Sequence, residues 1–145
     1  MKIFIASDHA GLDRKQQIIN YLKKILPHAE LKDEGPYSTE SVDYPDFVHP
    51  VCKAIENDEA AMGILLCGTA NGVAMTANKH SKIRAGLCWQ PEIAALTRQH
   101  NDANILCIPA RFVSRELALE MVDTFMETTF EGGRHQKRVA KIANM

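Results

Sequence analysis

Four stretches carry the reactive side chains of this sequence. They are Asp8-His9, Cys67-Gly68-Thr69-Ala70-Asn71-Gly72, Arg98-Gln99-His100-Asn101-Asp102, and a cationic set of Arg111, Arg134 and Arg138. The second is the most informative. Met62–Leu66 is an apolar run, Cys67–Gly72 a tight turn, and helical spacing follows toward Asn78. That succession is how α/β proteins turn backbone N–H groups toward an anion. A thiol at this place lies where a helix dipole favours the thiolate, which can act as a base or a nucleophile. On this stretch alone it reads equally well as a small buried hydrophobe. The other groups are also two-sided. His100 is a reacting imidazole or part of a polar C-cap. Arg134 and Arg138 share a helix face that can grip one phosphate, or they form a solvated basic end. Arg111 is an anion contact or a surface arginine.

Named nucleotide motifs are missing. The turn lacks the Gly-Lys-Ser/Thr of a P-loop, and it is not GxGxxG with an acidic residue about twenty positions later. The arginine with which a cysteine phosphatase would close its turn is replaced by Val73. A thiol in an anion-cradling turn without these motifs points to a small phosphorylated or enolisable substrate.

These residues must be positioned by elements of regular spacing. Lys2–Ser7 reads as a strand, and Leu12, Ile18, Ile19, Leu22, Ile25 and Leu26 mark a helix that Pro27 ends. Ala29–Glu34 is polar enough for an edge strand. A loop, Gly35–Pro45, precedes a helix carrying Phe47, Val51, Ala54 and Ile55 and ending near Asn57-Asp58. After the Met62–Asn78 stretch come a fourth strand (Ile83–Cys88), a helix from Pro91 through Ile93–Gln99, and a fifth strand (Ile105–Ile108) closed by Pro109. A long helix follows Ser114 through Met126 and is broken at Gly132-Gly133, with a basic tail helix beyond. Strands alternating with helices predict an α/β fold, a Rossmann-like three-layer sandwich on a five-stranded parallel sheet of order 2-1-3-4-5. At 145 residues, positions 1–145 should form one domain.

Composition narrows the function classes. A net charge of −1 argues against a nucleic-acid surface or an anionic membrane. No apolar run approaches the ~18 residues of a membrane span, and no signal peptide is visible at the N-terminus. The four cysteines match neither a CxxC pair nor a zinc pattern, so free thiols in a reducing cytoplasm are expected.

In doubly wound sheets, ligands bind beyond the C-terminal strand ends where strand order reverses, here between strands one and three. Asp8 and His9 would therefore meet Cys67, Gly68 and Thr69 in one crevice, which favours the reactive reading of Cys67. A crossover helix runs antiparallel to its strand, so His100 and the tail arginines end at the opposite edge. If catalytic, they serve a neighbour's site, which predicts a homodimer with shared active sites; pairing into tetramers stays open.

With these residues laid out, the chain resembles the type B ribose-5-phosphate isomerases, a family that includes allose- and galactose-6-phosphate isomerases. The landmarks are Ser7-Asp8-His9-Ala10-Gly11, Asp43-Tyr44-Pro45, Cys67-Gly68-Thr69 through Gly72, Ala77-Asn78-Lys79, Ile83-Arg84-Ala85, Arg98 through Asn104, and Glu131-Gly132-Gly133-Arg134-His135. The resemblance implies conversion of D-ribose 5-phosphate to D-ribulose 5-phosphate in the non-oxidative pentose phosphate pathway. The alternatives are a hexose-6-phosphate isomerase and a non-catalytic sugar-phosphate-binding module. It implies Cys67 as the base, Thr69 assisting, the Gly68–Gly72 amides (Ala70 and Asn71 included) holding the enediolate, and His100 opening the sugar ring. Asp8 and Asn101 would contact sugar hydroxyls, while His9, Arg111, Arg134 and Arg138 would contact phosphate and substrate. No metal or organic cofactor is expected. The family's usual loop has glycine at Ala70 and an aliphatic residue at Asn71. Because asparagine tolerates left-handed backbone, relocation of the turn's kink is expected.

Overall fold

The computed structural model describes residues 1–144. Strands β1 (Lys2–Ser7), β2 (Glu30–Asp33), β3 (Met62–Cys67), β4 (Ala85–Leu87) and β5 (Ile105–Pro109) form one parallel sheet. Six helices accompany them: α1 (Leu12–Ile25), α2 (Pro45–Glu56), α3 (Asn71–Ala77), α4 (Pro91–Asn101), α5 (Arg115–Glu127) and α6 (Arg134–Ile142). The fold class is as expected, but one part of the topology is not. The sheet order is 2-1-3-5-4 rather than 2-1-3-4-5, with β5 lying between β3 and β4.

Burial explains the swap. All five residues of β5 are buried, whereas β4 is three half-buried residues, shorter than the Ile83–Cys88 expected. A continuous apolar strand belongs at the centre of a parallel sheet and a short one at its edge. The reversal of strand order still falls between β1 and β3, so the predicted crevice does not move.

The period-two alternation of strands sorts the side chains between two cores. Ile3, Ile5, Ile64, Leu66, Leu106 and Ile108 face α1, α4 and α5. Phe4, Ala6, Leu65, Cys67, Ile105 and Cys107 face α2 and α3. Each fully buried leucine or isoleucine contributes roughly 1.5–3 kcal/mol, so helices that are marginal alone are held by these faces. Ser114 caps α5 by accepting the Leu117 N–H at 3.1 Å.

Helix α5 stops at Glu127, before the glycines expected to break it. Arg98 on α4 donates from Nε to the Thr128 carbonyl at 3.1 Å, which draws the chain away from the helix axis. The segment then runs beside the end of α4, where Glu131 N donates to Gln99 O at 3.1 Å, and turns at Gly132 and Gly133 into α6.

A second tie shapes the long loop before α2. Lys15 on α1 is fully buried, and its ammonium donates to Asp33 Oδ1 and to the Pro36 carbonyl, each at 2.7 Å. Asp33 Oδ1 also accepts the Gly35 N–H at 2.9 Å. The loop is thereby fastened to the sheet beside β1.

Candidate active site

Three adjacent strands deliver the site. Ser7 pairs with Leu66, and Asp8 N donates to Leu66 O at 3.0 Å, so Asp8 and Cys67 leave neighbouring strands side by side. Across β3, Cys67 pairs with Pro109, and its carbonyl accepts the Ala110 N–H at 2.9 Å. One residue further, Arg111 N donates to Gly68 O at 3.1 Å. The Arg111 side chain packs against Gly68, 3.2 Å from where a Cβ would stand. Arg111 therefore meets the thiol's turn from its own chain.

The rest of the crevice follows from local bonding. Asp8 Oδ1 accepts the Gly11 N–H at 2.9 Å and caps the short 3-10 turn that leads into α1. This use fixes the carboxylate at the mouth of the crevice. His9 Nδ1 accepts the Val42 N–H at 3.3 Å. The neutral ring then carries its proton on Nε2, a donor facing away from the loop. Tyr44 lies over Gly72 so closely that a Cβ there would sit 2.5 Å from the ring, so any other residue would displace the tyrosine.

The turn itself departs from expectation. The left-handed residue is Ala70, at φ 65°, and not Asn71, which opens α3 with helical backbone. Ala70 is also fully buried, so its methyl is packed despite the strained conformation. Thr69 Oγ1 accepts the Asn71 N–H at 3.2 Å, which removes one of the five amides expected to face an anion. Those of Gly68, Thr69 and Ala70 have no acceptor among the described residues. Unpaired amides next to a left-handed residue are the ingredients from which anion-binding concavities are built.

His100, Asn101, Arg134 and Arg138 are not brought to Cys67. Helix α4 ends just before β5, whose first residue pairs with Gly63, whereas Cys67 pairs with Pro109 at the other end. The four strand steps from Gly63 to Cys67 span about 13 Å. At that far edge the helix end divides its labour. Arg98 and Asp102 form the structural cap, with Arg98 Nη1 at 3.1 Å from Asp102 Oδ1 and 2.6 Å from the Ala103 carbonyl. His100 instead stacks on His135 of α6, with centroids 4.3 Å apart. Desolvation, then the charges of His100 and Arg134, lower the His135 pKa from its ordinary value. Arg134 and Arg138 are exposed and make no ion pair among the described residues.

Tyr44 and His135 are the residues to which sequence reasoning gave no role. Gly72 was the available signal for Tyr44, since a glycine opening a helix suggests close approach. His135 adjoins Arg134, and nothing in the local sequence distinguishes it from a solvated residue of the basic tail.

The remaining thiols have no such setting. Burial pushes the Cys52 and Cys88 thiols up to about 12, and that of the fully enclosed Cys107 up as well. Iodoacetamide on the native protein is therefore expected to modify Cys67 and spare the other three, read by peptide mass spectrometry. Label on Cys52 or Cys88 ahead of Cys67 would contradict this.

A surface groove of about 620 Å³ lies elsewhere, between the ends of α1 and α5, lined by Tyr21, Ile25, Pro27 and Met126. It touches none of the residues above.

Fold and strand ends together define a doubly wound α/β protein with a thiol leading into a tight turn at the switch point. Comparison with known proteins gives the family. The ribose/galactose isomerase family model matches residues 3–142, and the chain belongs to that family. Ribose-5-phosphate isomerase B of Escherichia coli is 42% identical over 97% of this chain and 93% of its own. A probable ribose-5-phosphate isomerase B of Mycoplasma genitalium is 46% identical, covering 97% and 92%. Among solved structures, a ribose 5-phosphate isomerase of Thermotoga maritima superposes with a TM-score of 0.95 at 49% identity, covering 99% and 98%. The Mycoplasma genitalium enzyme, solved with bound ribulose-5-phosphate, gives 0.91 at 44% identity, covering 98% and 93%.

Proposed function

We propose that the chain is one isomerase domain interconverting D-ribose 5-phosphate and D-ribulose 5-phosphate through an enediolate. The observation that carries the mechanism is the placement of Cys67 beside Asp8, at the start of a turn whose Gly68, Thr69 and Ala70 amides have no acceptor among the described residues. A proton α to a carbonyl is weakly acidic, so its removal needs a positioned base and donors aimed at the developing oxyanion. In the open-chain sugar, the Cys67 thiolate takes the C2 proton while the Gly68–Gly72 turn holds the charge forming on O1. The thiol then returns the proton to C1, and a proton passes from O2 to O1, with Thr69 assisting. Asp8 and Asn101 hold sugar hydroxyls. His9, Arg111, Arg134 and Arg138 grip the phosphate, whose binding energy orients carbons several bonds away.

Ring opening is assigned to His100, which gives a proton to the ring oxygen as the C1 hydroxyl loses one. His100→Asn should depress turnover of cyclic ribose 5-phosphate far more than conversion of an open-chain substrate. Equal losses in both would leave His100 a structural role only.

Because His100 and the tail arginines lie at the far edge from their own Cys67, they complete a partner's site in a homodimer. Mixing inactive Cys67→Ala and His100→Asn chains under subunit exchange should restore about a quarter of parental activity. Half the dimers are then mixed, each with one intact site, as closed two-fold assemblies require. No recovery on mixing would remove the shared site. Four free thiols fit a reducing cytoplasm as the setting.

A coupled assay comparing ribose 5-phosphate with allose 6-phosphate and galactose 6-phosphate tests the substrate. Faster turnover of either hexose would replace the pentose assignment. Binding without turnover of all three would make the chain a binding module.

A further inference from the structure

The far edge of the molecule also brings His100 together with two residues to which isomerisation gives no role, Glu131 and His135. His100, Glu131 and His135 each present one ligand atom, and the three atoms lie within 4.8 Å of one another. We propose that these residues form a site for one zinc-class divalent cation, whose occupancy withdraws His100 from ring opening. The second half of that statement rests on the role given to His100 above.

Two imidazoles and a carboxylate are a zinc donor set that leaves the fourth position open. The same set discriminates against magnesium and calcium, which prefer oxygen. Each ligand comes from a different part of the local structure. His135 is 6% exposed in the first turn of α6, held by its N–H to Gly132 O at 3.0 Å. Glu131 Oε2 lies 3.9 Å from His135 Nε2, on a side chain 52% exposed. His100 is in the last turn of α4.

Zinc bonds of about 2.0–2.2 Å place tetrahedral donors roughly 3.3–3.5 Å apart, so the three must close by about 1 Å. Glu131 has the freedom to swing inward. The imidazoles stack at an interplanar angle of 14°, which sets their nitrogens side by side rather than converging. Binding therefore turns the His100 ring out of the stack while His135 stays fixed. Arg134 and Arg138 on α6 oppose a cation, and Glu131 is the charge that offsets them.

Once bound to zinc, the His100 nitrogen has no lone pair or proton for the ring oxygen. Turnover from cyclic ribose 5-phosphate then slows. Ribulose 5-phosphate has its C5 oxygen esterified and cannot close a furanose ring, so the reverse reaction is spared.

The test uses the full chain and zinc itself. Competition with a chromophoric chelator should show one zinc per chain. Glu131→Gln should weaken it by ~10-fold or more, at least the loss seen when even an outer-shell partner of a metal ligand is removed. The metal-free turnover of that variant should match the parent. Cys67→Ala should bind zinc like the parent. Absence of saturable binding, unchanged affinity in Glu131→Gln, or lost binding in Cys67→Ala each overturns the site. In kinetics, zinc should slow the ribose 5-phosphate direction selectively and chelator should reverse it, with magnesium inert. Zinc that binds as described but slows neither direction upholds the cation site and refutes the role given to His100.

Discussion

Cys67→Ala is expected to bind phosphosugar nearly as the parent does and to lose isomerisation by roughly 10²–10⁴-fold, the range a positioned general base supplies. The substitution removes one sulfur from a site whose other parts are fixed independently. Asp8 is held by its cap on Gly11, His9 by Val42, and Arg111 by its backbone bond to Gly68. Binding measured by calorimetry and turnover measured by coupled assay should therefore separate. Because Cys67 belongs to the α2/α3 core, the variant also leaves a small void and costs on the order of 1 kcal/mol of stability. Full activity in the folded variant would return Cys67 to the status of an ordinary core residue.

Lys15→Met should lower unfolding free energy by about 3–5 kcal/mol, the usual cost of breaking a buried pair by removing one partner. Methionine matches the stem in length and keeps the packing, but the Pro36 carbonyl loses the ammonium as its donor. Asp33, whose side chain is 27% exposed, retains some solvent and the Gly35 N–H, which places the effect toward the lower end. Urea denaturation reads it directly. A second consequence reaches the site, because the loop fastened by Lys15 carries Val42 to His9 and Tyr44 to Gly72. The KM for phosphosugar should rise at temperatures where the variant is still folded. A loss under 1 kcal/mol with unchanged KM would show that the tie is dispensable.

Much of this was legible in the chain because its signals are local. Helical periodicity, the proline after α1, the helical spacing after Ser114 and the apolar run before Cys67 each need only a few neighbouring residues. The placement of Asp8 opposite Cys67 followed from a general rule about strand order, which held although the order itself was wrong at one edge. That error has a clear origin. Whether β4 or β5 lies next to β3 depends on which strand is better buried, and a three-residue strand flanked by polar turns cannot be measured from periodicity. The Ala70 conformation was missed for a related reason. Intrinsic tolerance favours asparagine in left-handed backbone, but the helix begins at Asn71 and leaves the kink to the residue before it. Tertiary placement overrode propensity. The stacking of His100 on His135 was out of reach because it requires two helices separated by α5 and β5 to pack together.

The conformation of Ala70 also bears on how this turn can change over evolutionary time. A left-handed backbone excludes branched side chains, and complete enclosure excludes larger ones. The two constraints leave alanine and glycine. Moving to glycine exchanges about 1–2 kcal/mol of relieved backbone strain against a lost methyl of about 0.8 kcal/mol and about 0.4–1 kcal/mol of added unfolded-chain entropy, so the step is nearly free in either direction. A lineage can therefore drift between these two residues without loss of fitness, while other substitutions at the site are selected against. Variation at this position then carries information about neutral history and none about substrate.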